Sequence, residues 1–492
     1  MSAKPSNNNT FVVELLEKKR EDLKKRSDFI SWDAVDQLAK TTYLLGIFQI
    51  TLIILFATVG GSQILYPATA PGTGTQGYNM FIGVEIMMFV GFGYLMTFLK
   101  WYGLGAVGFT AMITAVGLQW AVYTESFWNQ VYFNTPADQW HLVNFNIYSL
   151  LNALYAVSAV LISFGAVIGK VSPFQLLIMT IIELFCHSFN YQVLMVGVMN
   201  LVDMGGTYTD HMFGAYFGLT VAWMMGPPKS EPEMGNTPDI FSLIGTVFLW
   251  IYWPSFVAGA AVADSDQQQY AVVNTIMSLS ASTVATFFLT SLLSKNGRMR
   301  PVDIQNATLA GGVAIGCTAN LSMPVLNAVL IGVTAGLVST FGYNVLQGYL
   351  EQTWKLHDTC GIHNLHAMPS VIGALASVIL AGYKYAHNED IDVYGNNLNS
   401  QWWRQLLTIF LCIAFAVTSG VVVGKLLKYA ETREEGSITE FHDNNYWEVA
   451  EDYGTSLYSD RTHLHAPNDI HKTESAEAIT RTPLLAPATY HN

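Results

Sequence analysis

The chain is poor in charge. Only 12% of its 492 residues are Asp, Glu, Lys or Arg, while 51% are hydrophobic, and a soluble domain carries about 25% charged residues. That shortage excludes a water-soluble globule for most of the length, and runs of the roughly 20 apolar residues needed to cross a hydrocarbon core of about 30 Å recur throughout. Cysteine is scarce too. Cys186, Cys317, Cys360 and Cys412 stand singly in apolar surroundings, which argues against a disulfide framework or a zinc site and leaves them as small core residues. A cleavable leader is not expected, because the first apolar run begins near Tyr43, after some forty polar residues. No cofactor, metal or nucleic-acid partner is expected.

The charges that are present sit mostly at the ends. From Tyr429 onward there are twelve acidic and four basic residues, so this tail supplies −8 of the formal net charge of −13. It also carries His442, His463, His465, His471 and His491 without consistent ligand spacing, and reads as a solvated, disordered regulatory tail with little to bury. In the amino-terminal arm, Glu17–Arg26 is rich in Lys and Arg and follows Phe11, Val12, Leu15 and Leu16. Two readings stay open for it: a helix lying on an anionic membrane surface, or a solvated cytosolic helix whose basic residues fix orientation.

Between the ends, apolar runs separated by turn residues predict twelve spans, at about 43–59, 79–99, 103–123, 144–169, 174–200, 205–225, 239–263, 268–293, 303–319, 324–346, 359–382 and 402–427. Lys and Arg provide an independent check, since cytoplasmic loops hold the excess. Of eleven within residues 41–428, nine fall at or after the end of an even-numbered span, and only Lys384 and Arg404 lie on the other side. Both termini are therefore expected in the cytoplasm. Loop 226–238, rich in Pro, is expected to link two halves, and the sequons at Asn8, Asn306 and Asn320 are expected to stay unglycosylated. The divisions expected are a cytoplasmic arm (1–42), a transmembrane region (43–428) and an acidic cytoplasmic tail (429–492).

Two stretches repeat a pattern. Asp203, two residues, Gly206, four residues, His211 recurs as Asp358, two residues, Gly361, four residues, His366. Each copy opens the fifth span of a five-span set, about 79–225 and about 239–382. Five is odd, so the second set enters the membrane from the opposite face, giving an inverted repeat. At about 1.5 Å per residue each histidine lies about 12 Å beyond its Asp, near mid-membrane. His211 and His366 are thus expected to meet.

Ionisable residues within spans mark pathways or relays. Desolvation favours neutral imidazoles, and a neutral pair can share one proton while each ring keeps a nitrogen for a solute that both donates and accepts hydrogen bonds, such as ammonia. For Asp203 and Asp358 the expected role is helix capping, with Asp203 also able to draw cations to the outer vestibule. His363 is either a vestibule residue or an orienting partner. Glu85 and Glu183 read as interhelical hydrogen-bonding groups. Bis-histidine haem ligation and a metal site at His363 and His366 are the rivals, disfavoured by small packing residues and by missing further ligands.

The motifs carry a resemblance: VGFGYLMTFL at 90–99, FGAVIGKVSP at 164–173, HMFGAYFGL at 211–219, FLWIYWPSF at 248–256, IQNATLAGG at 304–312 and the Asp358 stretch. Across roughly 78–382 the chain resembles the Rh (Rhesus-type glycoprotein) family within the ammonium transporter superfamily. The resemblance implies an all-α polytopic membrane protein of about twelve helices and a homotrimer with one pore per protomer. It further implies ammonium drawn to the vestibule, deprotonated, and passed as ammonia by His211 and His366. Phe256 matches the inner ring of a stacked aromatic gate. Tyr155 falls at the outer ring, where the family usually has Phe, and its hydroxyl could narrow the aperture or bind substrate. Ala367 replaces a common Gly. A plasma-membrane ammonia channel is the reading that results, the alternatives being a non-conducting anchor or ammonium sensor, or a carbon dioxide pathway.

Overall fold

A computed structural model describes residues 32–58, 60–64, 73–136, 140, 143–262, 264–389, 391–430 and 440–449. The basic arm, the sequon at Asn8 and most of the acidic tail lie outside the described residues. The remainder is all-helical apart from a short parallel strand pair, Gly60–Ile64 with Val143–Phe145.

Among the described residues, twelve principal helical segments follow in order. They are α1 (Trp32–Thr58), α2 (Gly77–Phe98), α3 (Gly103–Tyr132), α4 (Ile147–Val167), α5 (Pro173–Val198) and α6, built from a π turn, Thr207–Met212, and an α-helix, Phe213–Met225. After the linker come α7 (Asn236–Ala258), α8 (Asp266–Leu293), α9, α10 (Val325–Trp354), α11 (His363–His387) and α12 (Gln401–Ala430). The ninth is broken into Pro301–Asn306, Ala307–Leu309, Ala310–Ile315 and Gly316–Thr318. Ten of the twelve are long and apolar enough to cross a membrane by themselves. The exceptions, α6 and α9, are almost wholly buried. They face protein rather than lipid, so their composition is freed from the hydropathy rule.

Local chemistry sets several boundaries. Asn146 and Ser149 form a reciprocal capping box at the start of α4, and Ser172 with Gln175 does the same for α5, where Pro173 fills the first helical position. Some helices outrun the hydropathy signal: α3 continues to Tyr132, so Trp128 is helical and donates to the Phe185 carbonyl instead of sitting in a loop, and α10 continues to Trp354.

Small residues let the central helices touch. Seven residues past His211, a Cβ on Gly218 of α6 would fall 2.5 Å from the Ser163 Cα of α4; seven past His366, one on Gly373 of α11 would fall 2.1 Å from the Ala314 carbonyl of α9. With no hydrophobic drive between helices in lipid, such close approach is what holds a bundle together. Outward faces carry apolar side chains, including Ile47, Ile50 and Ile53 of α1, Phe288 of α8 and Phe410 of α12.

Glu183 behaves as the sequence suggests, buried and bonded to Ser163 of the neighbouring α4. The carboxyl end departs from expectation. A wholly disordered tail was expected beyond 428, but residues 440–448 belong to the helical unit. Asp443, fully buried, accepts hydrogen bonds from the Leu104 and Gly105 amides at the start of α3 (2.9 and 2.7 Å), Trp447 covers Gly108, Phe441 covers Gly169, and the Tyr446 hydroxyl donates to Gln37 of α1. The reason is physical: Phe441, Tyr446 and Trp447 give this short acidic stretch something to bury.

Candidate functional site

The two Asp-Gly-His stretches fold alike. In the first, Asp203 Oδ2 accepts from the Tyr208 and Thr209 amides; in the second, Asp358 accepts from the Gly361, Ile362 and His363 amides. The intervening glycines, Gly206 and Gly361, both take positive φ, +66° and +73°, a conformation that costs other residues free energy. Each hairpin-tight start runs into a π turn, Thr207–Met212 or His363–Ala367. A π turn admits an extra residue per turn and is a common device at functional sites; here the Asp210 and His211 amides share the Gly206 carbonyl.

Both turns carry their histidine at the next-to-last position. His211 and His366 are buried, with rings 5.2 Å apart and 20° from parallel, and Nδ1 of one lies 3.2 Å from Nδ1 of the other. One Nδ1 must donate and the other accept, so the two Nε2 atoms take opposite roles: one accepts and one donates. The Nε2 of His211 is buried without a hydrogen-bond partner among the described residues. Trp253 stacks against the His211 ring at 5.6 Å, seated over Gly312, where a Cβ would fall 2.5 Å from the indole. The sequence motifs at 248–256 and 304–312 contain Trp253 and its glycine seat, but assign neither a role at the site.

Phe256 adjoins His211 on one side, at 5.8 Å between rings, and Tyr155 lies beyond it. The aromatic pair expected to be stacked is edge-to-face, 4.9 Å apart at 77°, and the Tyr155 hydroxyl donates to the Phe256 carbonyl at 3.0 Å. That O–H donor ties two helices together, while the hydroxyl oxygen keeps its capacity to accept.

Above Tyr155 a cavity of about 220 Å³ opens, lined by Glu125, Tyr155, His187, Tyr191, Asp203 and Asp210 among others. Burial, the larger influence, pushes the Asp203 carboxyl up to about 7 against the pull of its amide donors. Below His366 a second cavity, of about 20 Å³, is lined mainly by Phe92, Leu95, Phe98, Leu161, Ile162 and Leu365. It is almost wholly apolar. His363 is half-buried, its amide held by Asp358 and its Nδ1 unpartnered among the described residues. Asp358 is raised above the usual carboxylate range by burial, less what its amide donors restore. Its role in the structure is the cap.

The sequence reading missed Glu125, His187 and Asp210. His187 Nε2 lies 3.1 Å from Asp210 Oδ1, with both side chains buried. Asp210 stands beside His211 in an apolar run, and a carboxylate within a span is itself the signal that could have found it.

The two halves also meet near the site: Gly205 donates to the Gly316 carbonyl, and Thr207 bridges Cys317 and Val313 of α9. All four cysteines are free thiols, and no cluster of three or more metal-ligating side chains occurs among the described residues.

Similarity to known proteins covers most of the chain. The family model described as Ammonium Transporter Family matches residues 69–446. Ammonium transporter Rh type C of Xenopus laevis is 37% identical over 423 residues, 82% of this chain and 86% of its own length, and ammonium transporter Rh type A of Mus musculus is 38% identical over 80% of this chain and 87% of its own. Among solved structures, one described as "Nitrosomonas europaea Rh50 and mechanism of conduction by Rhesus protein family of channels" superposes with a TM-score of 0.65 at 29% identity, covering 80% of this chain and 96% of that one. Mep2 of Candida albicans shares the fold, with a TM-score of 0.57 at 17% identity over 71% of this chain and 82% of its own.

Proposed function

Since the chain belongs to the Ammonium Transporter Family, and within it to the Rh type, we propose that it conducts ammonia across the plasma membrane through a pore running past Tyr155, Phe256, His211 and His366. Ammonium gathers in the cavity beside Asp203, gives up a proton there, and continues as ammonia. The observation that carries this reading is the 3.2 Å contact between the two Nδ1 atoms. With one Nε2 accepting and the other donating, the pair offers a neutral molecule that does both a complete set of partners inside an otherwise apolar passage. A cation finds no such compensation in the apolar stretch beyond His366, where leaving water costs far more for a charge than for a neutral solute.

The transport region, 43–428, contains the two five-helix inverted repeats, about 79–225 and 239–382, and assembles as a homotrimer in the bilayer. Both termini face the cytoplasm. The loops bearing Lys100, Lys229 and Glu440 meet at one face, through Lys100 with Glu233 and the Lys229 amide with Glu440, while Arg404 bonds the Met199 carbonyl at the other, in keeping with an excess of basic residues on the cytoplasmic side.

Stopped-flow ammonia permeability in proteoliposomes tests the reading. Wild type is expected to exceed empty liposomes, and His211→Ala and His366→Ala to change conduction at least about tenfold, the scale set by an unpaired buried polar group. Wild type no faster than empty liposomes would sink it.

A further inference from the structure

The pathway leaves one participant unnamed, the group that takes the proton from ammonium. It also leaves a set of ionisable side chains unused around the wider cavity: Glu125 from α3, His187 and Tyr191 from α5, and Asp210 from α6, alongside Tyr155 of α4 and the Asp203 loop. Among them only His187 and Asp210 are paired at hydrogen-bonding distance in a buried setting, Nε2 to Oδ1 at 3.1 Å. That contact occupies one carboxylate oxygen. The other, Oδ2, lies over Gly206, close enough that a Cβ there would sit 2.1 Å away. Gly206 and Asp210 both line the cavity, and the missing Cβ at Gly206 makes the room that Oδ2 occupies at its wall. A second observation points to a small hydrogen-bonding occupant: Asn320 and His187 line the same cavity on side chains only 3% and 2% exposed, and the buried Asn320 Oδ1 and His187 Nδ1 have no hydrogen-bond partner among the described residues.

We propose that Asp210, held in place by His187, is the base that deprotonates ammonium before it passes the aromatic pair; this rests on the conduction reading above. An N–H bond of ammonium breaks with its electron pair left on nitrogen, and an O–H bond forms at Asp210 Oδ2. The cation and the carboxylate become ammonia and a carboxylic acid. Two charges removed from water together are costly, and their conversion to a neutral pair relieves that cost. Ammonia leaves past Phe256. The proton leaves Oδ2 toward the solution through Asp203, whose Oδ1 has no partner among the described residues, and the carboxylate is restored. His187 acts as a positioning residue: its Nε2–H fixes the carboxylate so that Oδ2 faces Gly206.

The test compares proteoliposome permeability in acidic medium, where nearly all substrate is ammonium, with that in alkaline medium, where neutral ammonia is abundant. For Asp210→Asn the ratio of acidic to alkaline permeability is expected to fall by about a hundredfold or more relative to wild type, the low end of what a general base supplies. His187→Leu is expected to lower the ratio as well, and His187→Gln, which retains a donor for Oδ1, to restore it. If Asp210→Asn fails to assemble, His187→Leu against His187→Gln decides by the same ratio. A ratio unchanged from wild type, or equal losses at both pH values, would overturn the assignment and leave Asp210 a packing residue. A wild type indistinguishable from empty liposomes is a different result, since it removes the conduction reading itself.

Discussion

Asp203 combines two duties whose balance depends on pH. Its Oδ2 holds the Tyr208 and Thr209 amides, while burial raises the carboxyl to about 7, against about 3.9 in an unfolded chain. Between those values the folded protein binds more protons than the unfolded one, so this group's contribution to stability is present in acid and lost as pH rises through about 7. Thermal unfolding in detergent from about pH 5 to about pH 8 is expected to show that decline in wild type and a flatter profile in Asp203→Asn. The same titration adds negative charge to the cavity beside Asp203, where the proposed pathway gathers ammonium. How much of the site was legible depended on the type of residue. His211 and His366 stood out because ionisable groups are rare in apolar runs and these two share a spacing. His187 and Asp210 come from different helices and obey no spacing, so only their meeting in space identifies them. Tyr155 could be singled out from the motif comparison, but nothing in the sequence says that its hydroxyl would bond the Phe256 carbonyl.

The element that matters is the capped π turn, used twice. Its parts are legible as letters, Asp for the cap, Gly for the left-handed residue and His for the last turn, whereas the π geometry that swings each histidine inward is not. Gly206 and Gly361 are the sensitive points. At each, alanine meets both a strained φ and an occupied space, 2.1 Å from Asp210 Oδ2 in one case and 2.2 Å from the Tyr343 ring in the other. Gly206→Ala and Gly361→Ala are each expected to lower stability by more than the roughly 1 kcal/mol of backbone strain alone, measured as a reduced midpoint of thermal unfolding. Hydropathy located most spans closely, because lipid-facing helices must be apolar. It misjudged the ends of α3 and α10, since a helix that leaves the membrane loses the apolar signal without losing its hydrogen bonds.

At the scale of the molecule, the count of twelve and the alternation of basic residues were readable, because a membrane imposes both. The docking of 440–448 was hidden: charge dominates that stretch, and the partner amides at Leu104 and Gly105 lie more than three hundred residues away. Asp443 replaces water for two amides at the start of α3, so Asp443→Ala is expected to cost about 1–3 kcal/mol of stability, seen as a lowered unfolding midpoint without loss of the bundle. All of these features serve one claim, that the species crossing past His211 and His366 is neutral ammonia. The most direct test is the internal pH of proteoliposomes after ammonium is added outside. Entry of ammonia takes up protons inside, so the account predicts alkalinisation faster than in empty liposomes and slowed in His366→Ala. Acidification of the interior, the mark of ammonium entering as the ion, would contradict it.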